Sequence, residues 1–122
     1  MRVTGPDFIG LQVRDLAAAA EFYETRLGLR RAAASPPGAV VFDTSPIPFG
    51  VREPLPGVDL DAVPRPGLGV AVWLHTTDAP ALHAALVSAG VRIVKEIEDG
   101  PFGRHFAFAD PDGYVITVHD RN

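Results

Sequence analysis

The chain has 122 residues, 47% of them hydrophobic, and its 11 basic and 15 acidic side chains give a formal net charge of -4. A chain of this length can bury a core of its own, and the absence of Cys excludes disulfides, thiolate metal sites and cysteine nucleophiles. The acidic balance argues against a nucleic-acid partner, and no apolar run reaches the length of a membrane span. We therefore expect a cytoplasmic protein that binds neither nucleic acid nor membrane.

The first predicted elements are a strand, a capped helix and a helix stop. Apolar residues alternate with others over residues 8–14, which is the period of a half-buried strand. Asp15 predicts the N-cap of a helix over residues 16–27, and Gly28 predicts its end. Short strands are then predicted around residues 30–34, 39–43 and 49–53.

The same order of signals returns 63 positions later. Residues 70–75 alternate as a strand, Asp78 predicts a second N-cap, residues 79–89 have helical character, and Gly90 predicts the helix end. The agreement of strand, cap, helix and stop indicates an internal repeat. Short strands again follow, around residues 91–96, 104–109 and 114–120.

The domain organisation follows from this repeat. Each half has the order βαβββ, and the segment between the halves contains four prolines and little periodicity, which is typical of a linker. We predict a single domain over residues 1–122, composed of a module over residues 1–53, a proline-rich linker over residues 54–66 and a module over residues 67–122.

The last two predicted strands are joined by the sequence Asp110-Pro111-Asp112-Gly113. Proline sets the backbone angle of a turn and glycine accepts a positive φ, so these residues predict a hairpin. Asp110 and Asp112 are thereby expected to shape the turn and not to act as catalytic carboxylates.

Three motifs and the repeat together resemble one protein family. The chain carries Leu-x-Val-x-Asp-Leu at residues 11–16, Phe-Tyr-x-x-x-Leu-Gly-Leu at residues 22–29 and Asp-Pro-Asp-Gly at residues 110–113. On a duplicated βαβββ unit, this combination resembles the vicinal oxygen chelate superfamily, which includes glyoxalase I, extradiol dioxygenases, fosfomycin-resistance enzymes and bleomycin-resistance proteins. The resemblance implies an α+β fold of two βαβββ modules with curled mixed sheets, the glyoxalase/bleomycin-resistance/dioxygenase fold, whose concave faces form ligand cavities.

Enzymes of this superfamily usually hold a divalent metal through inward-facing His and Glu side chains. The resemblance places three of these positions at Phe8, Ala71 and Thr117. Internal symmetry places the fourth near Gly50, where Glu53 is the closest carboxylate. Two apolar side chains and a neutral hydroxyl are a poor ligand set for such a metal. We therefore expect no metal and no cofactor, and the pattern favours a protein that is not an enzyme.

This departure is similar to the bleomycin-resistance branch, whose members are metal-free dimers that bind an antibiotic. The loop over residues 100–104 is similar to that branch's proline-aromatic-glycine loop, where the aromatic ring can stack on a planar ligand. The resemblance therefore implies a metal-independent homodimer that sequesters a partly aromatic ligand or antibiotic in a dimer cavity. Two alternatives stay open: a glyoxalase-like lyase or isomerase with a non-standard or metal-free site, and a dimeric interaction module without a deep cavity.

Strand alternation selects the candidate ligand-binding residues. Trp73, the sole tryptophan, shares its parity with His75 and offers a stacking plane with one N–H donor. His119 has the matching parity on the last strand, so it can meet His75, and Arg104 can clamp an anionic group. The predicted ligand-binding residues are Phe8, Gln12, Trp73, His75, Phe102, Arg104, Thr117 and His119. Four others are expected to be structural: His83, His105, Phe106 and Phe108.

Overall fold

Each half of the chain forms a small mixed sheet with one helix packed against it. The computed structural model describes residues 1–121 and separates into two units, one over Met1–Ala62 and the other from Val63 onward. This boundary falls inside the predicted linker over residues 54–66. Helices and mixed sheets occur in both units, so the predicted α+β class is confirmed. The more detailed division into two modules and a linker stays a prediction.

The first unit contains a three-stranded sheet and one α-helix. Its elements are strand β1 (Ile9–Gln12), helix α1 (Leu16–Arg26), strand β2 (Ala39–Phe42), strand β3 (Phe49–Arg52) and a short 3₁₀ helix (Leu60–Ala62). Strand β3 lies in the centre, parallel to β1 and antiparallel to β2. The predicted cap and stop of α1 are confirmed, because Asp15 accepts a hydrogen bond from the N–H of Ala18 at 3.1 Å and Gly28 has a φ of 71°.

Aromatic packing between α1 and its sheet forms the core of this unit. The Tyr23 side chain is fully buried, and its ring centroid lies 5.0 Å from that of Phe49 and 6.2 Å from that of Phe42. Burying a large apolar side chain in this way stabilises the fold by about 1.5–3 kcal/mol. Because strand side chains alternate between faces, Gly10 and Gln12 of β1 lie on the face opposite the buried Leu11.

The second unit contains a four-stranded sheet and one α-helix. Its elements are strand β4 (Val72–His75), helix α2 (Ala79–Ser88), strand β5 (Ile93–Gly100), strand β6 (Gly103–Ala109) and strand β7 (Val115–His119). The strand order is β4-β7-β6-β5, with β4 parallel to β7 and the other pairs antiparallel. The predicted cap and stop are again confirmed, since Asp78 accepts a hydrogen bond from the N–H of Ala81 at 3.0 Å and Gly90 has a φ of 79°.

The turn between β6 and β7 is built around Asp110. Its Oδ1 atom accepts hydrogen bonds from the N–H groups of Asp112 at 3.0 Å and Tyr114 at 2.9 Å. The N–H of Gly113 donates to the carbonyl of Asp110 at 3.0 Å, and Gly113 has a φ of 96°. Asp110 is buried. The predicted hairpin and the structural role of Asp110 are therefore confirmed.

Two predicted strands differ from the observed ones. The strand predicted over residues 30–34 is wrong, because within residues 1–62 this segment forms an isolated bridge between Arg31 and Phe42. The N–H of Ala32 donates to the carbonyl of Val41 and the N–H of Asp43 donates to the carbonyl of Arg30, both at 2.8 Å. The pairing does not continue into Pro36 and Pro37, which have no N–H to donate. In the second unit, β5 continues to Gly100, beyond its predicted end, because its ladder with β6 extends to a tight loop.

The predicted linker is held at its start by side chains of the first unit. The Oε1 atom of Gln12 accepts a hydrogen bond from the N–H of Leu55 at 2.8 Å. The guanidinium of Arg14 donates to the Asp61 carboxylate at 2.6 Å and to the Leu60 carbonyl at 2.9 Å. Leu60 is buried. Part of the proline-rich segment is therefore packed structure and not a free connection.

The two α-helices are short, with 11 and 10 residues. Across residues 1–121, no helix is long and apolar enough to cross a membrane.

Candidate ligand-binding face

The sheet of the second unit has one covered face and one face that is more open. The covered face packs against α2, where the His83 ring lies 5.2 Å from the ring of Phe106. Its fully buried side chains are Phe106, Phe108, Ile116 and Val118. Strand alternation turns the intervening side chains to the other side, which we call the open face. The open face carries Trp73, His75, His105, Ala107, Thr117 and His119.

Two half-exposed aromatic rings meet on the open face. Trp73 lies on β4 and Phe102 lies in the loop between β5 and β6. Their ring centroids are 5.4 Å apart and their planes are inclined by 65°. Trp73 is 45% exposed and Phe102 is 48% exposed. This arrangement, which we call the aromatic pair, offers apolar ring surface on which a planar molecule can stack.

Three histidines form a row across the strands beside the aromatic pair. The strand register places His75 of β4 opposite His119 of β7, and His119 opposite His105 of β6. The ring centroids of His75 and His119 are 5.6 Å apart. On β5, Glu98 is the register partner of His105. These three imidazoles, which we call the histidine row, run across the sheet and end at a carboxylate.

The aromatic pair and the histidine row are in direct contact. The Trp73 ring centroid lies 5.9 Å from that of His119 and 6.4 Å from that of His105, and the Phe102 centroid lies 6.4 Å from that of His119. Sequence reasoning treated His105 as structural and did not place it here. Counting outward from the turn at residues 110–113 would have placed it opposite His119, since antiparallel neighbours are matched step by step.

Thr117 occupies the middle of the open face. Its register partners are Trp73 on β4 and Ala107 on β6. The structure therefore brings five of the predicted ligand-binding residues onto one face of the second unit, namely Trp73, His75, Phe102, Thr117 and His119. Their role in binding a ligand stays a prediction.

Among the described residues, charged partners lie at only one end of the histidine row. The Oε1 atom of Glu98 lies 3.0 Å from Nζ of Lys95 and 3.3 Å from Nε2 of His105. The hydrogen bond and the charge of Lys95 lower the pKa of Glu98, and His105 acts in the same direction. Glu98 is therefore ionised at neutral pH. At the other end of the row, His75 is exposed and forms no ion pair within residues 1–121.

Arg104 lies at the base of the β5–β6 loop and pairs with Asp120. The Asp120 carboxylate accepts hydrogen bonds from the backbone N–H of Arg104 at 2.9 Å, from its Nε at 3.1 Å and from the N–H of Ala79 at 3.3 Å. Burial acts to raise the pKa of Asp120, but these hydrogen bonds and the Arg104 charge lower it overall. The structure thus places Arg104 in a structural ion pair, and its predicted contact with an anionic ligand stays a prediction.

Gly103 allows the loop that carries Phe102 to approach the end of β7. It has a φ of 79°, and a Cβ at this position would lie 2.6 Å from Oδ1 of Asp120 and 2.9 Å from the backbone N of Arg121. The Arg121 guanidinium also donates to the carbonyl of Pro101 at 2.7 Å. The position of Phe102 therefore depends on a residue without a side chain at position 103.

The other two predicted residues, Phe8 and Gln12, belong to the first unit. The register of β1 and β3 pairs Gly10 with Gly50, and the Phe8 ring lies across this pair. A Cβ on Gly10 would be 2.8 Å from Cε2 of Phe8, and one on Gly50 would be 2.9 Å from its Cζ. The side chain of Gln12 accepts a hydrogen bond from the N–H of Leu55. A role of Phe8 and Gln12 in ligand binding stays a prediction.

A model of the Glyoxalase/Bleomycin resistance protein/Dioxygenase superfamily matches residues 5–118. The chain belongs to this superfamily. The resemblance drawn from the sequence motifs is therefore confirmed. A search of curated proteins found no relative.

Solved structures of other superfamily members share the fold. TnmS3, described as an antibiotic binding protein from Streptomyces sp. CB03234, is 24% identical, with a TM-score of 0.77 over 100% of this chain and 99% of that chain. A glyoxalase/bleomycin resistance protein from the same strain is 24% identical, with a TM-score of 0.74 over 95% and 100% of the two chains. A lactoylglutathione lyase from Agrobacterium tumefaciens is 18% identical, with a TM-score of 0.68 over 98% and 96%. These TM-scores show a shared fold.

The positions at which the resemblance places the superfamily's metal ligands do not hold a suitable donor set in this chain. Gly50 stands opposite Gly10 as Thr117 stands opposite Trp73, so the strand register identifies Gly50 as the counterpart of Thr117. The four positions are therefore Phe8, Gly50, Ala71 and Thr117. They offer one neutral hydroxyl, whereas divalent metals in such sites take carboxylate and imidazole donors. Within residues 1–121, no group of three or more His, Asp or Glu side chains is arranged to hold a metal ion.

Proposed function

We propose that this protein binds a planar, partly aromatic small molecule, such as an antibiotic, without a metal and without converting it chemically. The observation that carries the proposal is the half-exposed aromatic pair of Trp73 and Phe102 on the open face. We further propose that it acts as a cytoplasmic homodimer, as the resemblance to the bleomycin-resistance branch implies.

The exposed area of the aromatic pair is large enough to support binding. A buried Trp or Phe covers roughly 150–250 Å², so two half-exposed rings leave roughly 200 Å² for a ligand to cover. At about 25 cal/mol per Å², covering them contributes about 5 kcal/mol before the cost of association. Ring stacking adds about 0.5–1.5 kcal/mol for each well-oriented pair. A ligand with fused rings can use both planes.

The donor chemistry of the four metal positions supports a function without a metal. Phe8 and Ala71 have no donor atom, and the Phe8 ring crowds the space over Gly50. A carboxylate at that position would meet this ring. The residues of the first unit therefore argue against a metal, as does Thr117 in the second unit, which stands where the resemblance expects a Glu ligand.

A second candidate function is favoured by the histidine row. Imidazoles are the side chains best suited to transfer protons near neutral pH, and His75 and His119 lie beside the surface on which a ligand would stack. A glyoxalase-like lyase or isomerase that uses these groups without a metal is consistent with this arrangement. Turnover of a bound ligand, followed by mass spectrometry, would distinguish this function from simple binding.

The test of the proposed function uses the fluorescence of Trp73, which is the single tryptophan. The protein is titrated with bleomycin-type and other planar aromatic metabolites, and each ligand that changes the emission is measured again by calorimetry. Because Trp73→Ala offers a ligand less ring area to cover, this variant should bind more weakly by about 2 kcal/mol, roughly 30-fold. Phe102→Ala should have a similar effect. Val87→Ala, which shortens an exposed side chain on α2, serves as the control. Unchanged emission across the panel, or equal affinity in Trp73→Ala, would refute the proposal.

A further inference from the structure

We propose that the histidine row makes binding at the open face proton-linked and selects planar ligands that carry a carboxylate. This inference rests on the proposed function, because it assumes that an aromatic ring stacks on Trp73. It adds the class of ligand, an aromatic acid, and a dependence of affinity on pH.

The geometry places the row within reach of a substituent on a stacked ring. The ring centroids of Trp73 and His119 are 5.9 Å apart, about the width of one aromatic ring. His75 follows Trp73 on β4 with the same parity, and its centroid lies 5.6 Å from that of His119. A carboxylate attached to a ring that stacks on Trp73 can therefore reach these two imidazoles.

Within the described residues, the end of the histidine row formed by His75 and His119 has no carboxylate partner. On β5, the carboxylate of Glu98 is paired with Lys95 and with His105 of β6. His75 of β4 and His119 of β7 form no ion pair within residues 1–121. An anionic group on the ligand would supply the missing charge at this end.

The nearby acidic groups outside the row face elsewhere. The Asp120 carboxylate, which follows β7, is held by Arg104 and by the N–H of Ala79. On β5, Glu96 lies 3.6 Å from His83 on the α2 side of the sheet. Neither carboxylate competes with a ligand for His75 and His119.

The row also has unused hydrogen-bonding capacity. The Nδ1 atoms of His105 and His119 are shielded from solvent and have no hydrogen-bond partner within the described residues. Buried polar groups in proteins are normally paired. The Nε2 atom of His83, on the α2 side, is shielded and unpaired in the same way. A ligand on the open face could pair with the nitrogens of His105 and His119 only after these rings turn toward it.

The sign of the pH dependence follows from the charges. An anion next to an imidazole favours its protonated form, so binding of a carboxylate takes up a proton at neutral pH. By linkage, protonation then favours binding of the carboxylate. Carboxylic acids stay ionised above about pH 4.5 and free imidazoles titrate near pH 6.5. Affinity for an aromatic acid should therefore rise as the pH falls from 8 to 5.5, whereas a neutral analogue should bind equally at both.

The test compares 2-naphthoate with 2-naphthamide, which has the same rings and a neutral substituent. Calorimetry at pH 7 in two buffers of different ionisation enthalpy measures the protons taken up for each ligand bound. We expect proton uptake with naphthoate and none with naphthamide. We also expect naphthoate to bind about tenfold more tightly at pH 5.5 than at pH 8, as one unit of pKa change in a linked group produces.

Variants assign the effect to the row. His75→Asn and His119→Asn should each reduce the proton uptake and the pH dependence, and His83→Asn, on the other side of the sheet, should retain both. His75 is exposed at the end of β4, so we expect His75→Asn to fold. This variant alone is sufficient for the test if His119→Asn does not fold.

The outcomes separate the two proposals. If both probes bind equally at both pH values without proton uptake, the inference is wrong, but the proposed binding of planar ligands at the aromatic pair stands. If neither probe changes the emission of Trp73, both the inference and the proposed binding at the aromatic pair fail for this ligand class. If the pH dependence persists in His75→Asn and His119→Asn, another group takes up the proton and the inference is overturned.

Discussion

Replacing Gly103 with alanine should destabilise the second unit and weaken ligand binding together. Gly103 has a φ of 79°, where an L-residue with a Cβ costs about 1–2 kcal/mol. A Cβ there would also lie 2.6 Å from Oδ1 of Asp120 and 2.9 Å from the backbone N of Arg121. The backbone atom cannot rotate away as a side chain can, so the loop must move.

The magnitude is the sum of a backbone effect and a packing effect. Forcing an extra carbon into a packed site costs typically about 1–3 kcal/mol. With the cost of the positive φ, and less the smaller entropy of the unfolded alanine chain, Gly103→Ala should lower the free energy of unfolding by about 2–4 kcal/mol. Because Phe102 is the neighbouring residue, the aromatic pair should open and the affinity for planar ligands should fall.

The chain contains a matched control at Gly69. Its φ is 94°, and a Cβ built there has no atom within 4 Å. Gly69→Ala therefore carries the backbone cost alone, about 1 kcal/mol. Urea unfolding of both variants, followed by circular dichroism, gives the comparison, and calorimetry with one ligand gives the affinities. Equal losses of stability, or full affinity in Gly103→Ala, would show that the loop is not held at position 103.

Three further predictions concern the core, the turn and the acid limit of stability. Tyr23→Ala should cost about 3–5 kcal/mol in urea unfolding, because a fully buried aromatic ring is removed; a loss below 1 kcal/mol would contradict the packing of α1. Asp110→Ala should cost about 1–3 kcal/mol by leaving the turn N–H groups unpaired, and Asp110→Asn, which keeps an acceptor oxygen, should cost less. Since Lys95 lowers the pKa of Glu98 in the folded state, Glu98 stabilises the protein above pH 4.5, its ordinary value, and this contribution is lost as the pH falls below it. Glu98→Gln should therefore be less stable than the parent at pH 7, and the difference in the free energy of unfolding should shrink as the pH falls below 4.5. A difference that stays the same down to pH 3 would contradict this assignment.

The parts of the fold that could be predicted from sequence are those set by local chemistry. Asp15 and Asp78 cap helices through their own side chains, and Gly28 and Gly90 end them by accepting a positive φ. These effects act within one turn of the chain, so no knowledge of the sheet is needed. The hairpin turn around Asp110 was predictable for the same reason.

The parts that could not be predicted depend on which strands become neighbours. Alternation along β6 and β7 assigns each side chain to a face, but only the register places His105 opposite His119. On β5, irregularities in the pairing shift the register before Glu98, so its position beside His105 does not follow from counting. The ion pair between Arg104 and Asp120 could not be predicted either, because its carboxylate comes from the chain after β7, and the predicted ligand contact of Arg104 stays a prediction.

The central claim is that a planar ligand stacks on Trp73. Because the chain has one tryptophan, a two-dimensional ¹H–¹⁵N spectrum contains a single indole N–H signal that needs no further assignment. Titration with the ligands that change the emission of Trp73 should shift this signal in proportion to saturation, together with the amide signals of Phe102 and His119. Shifts confined to residues away from the open face, with the indole signal unmoved at saturation, would contradict the account.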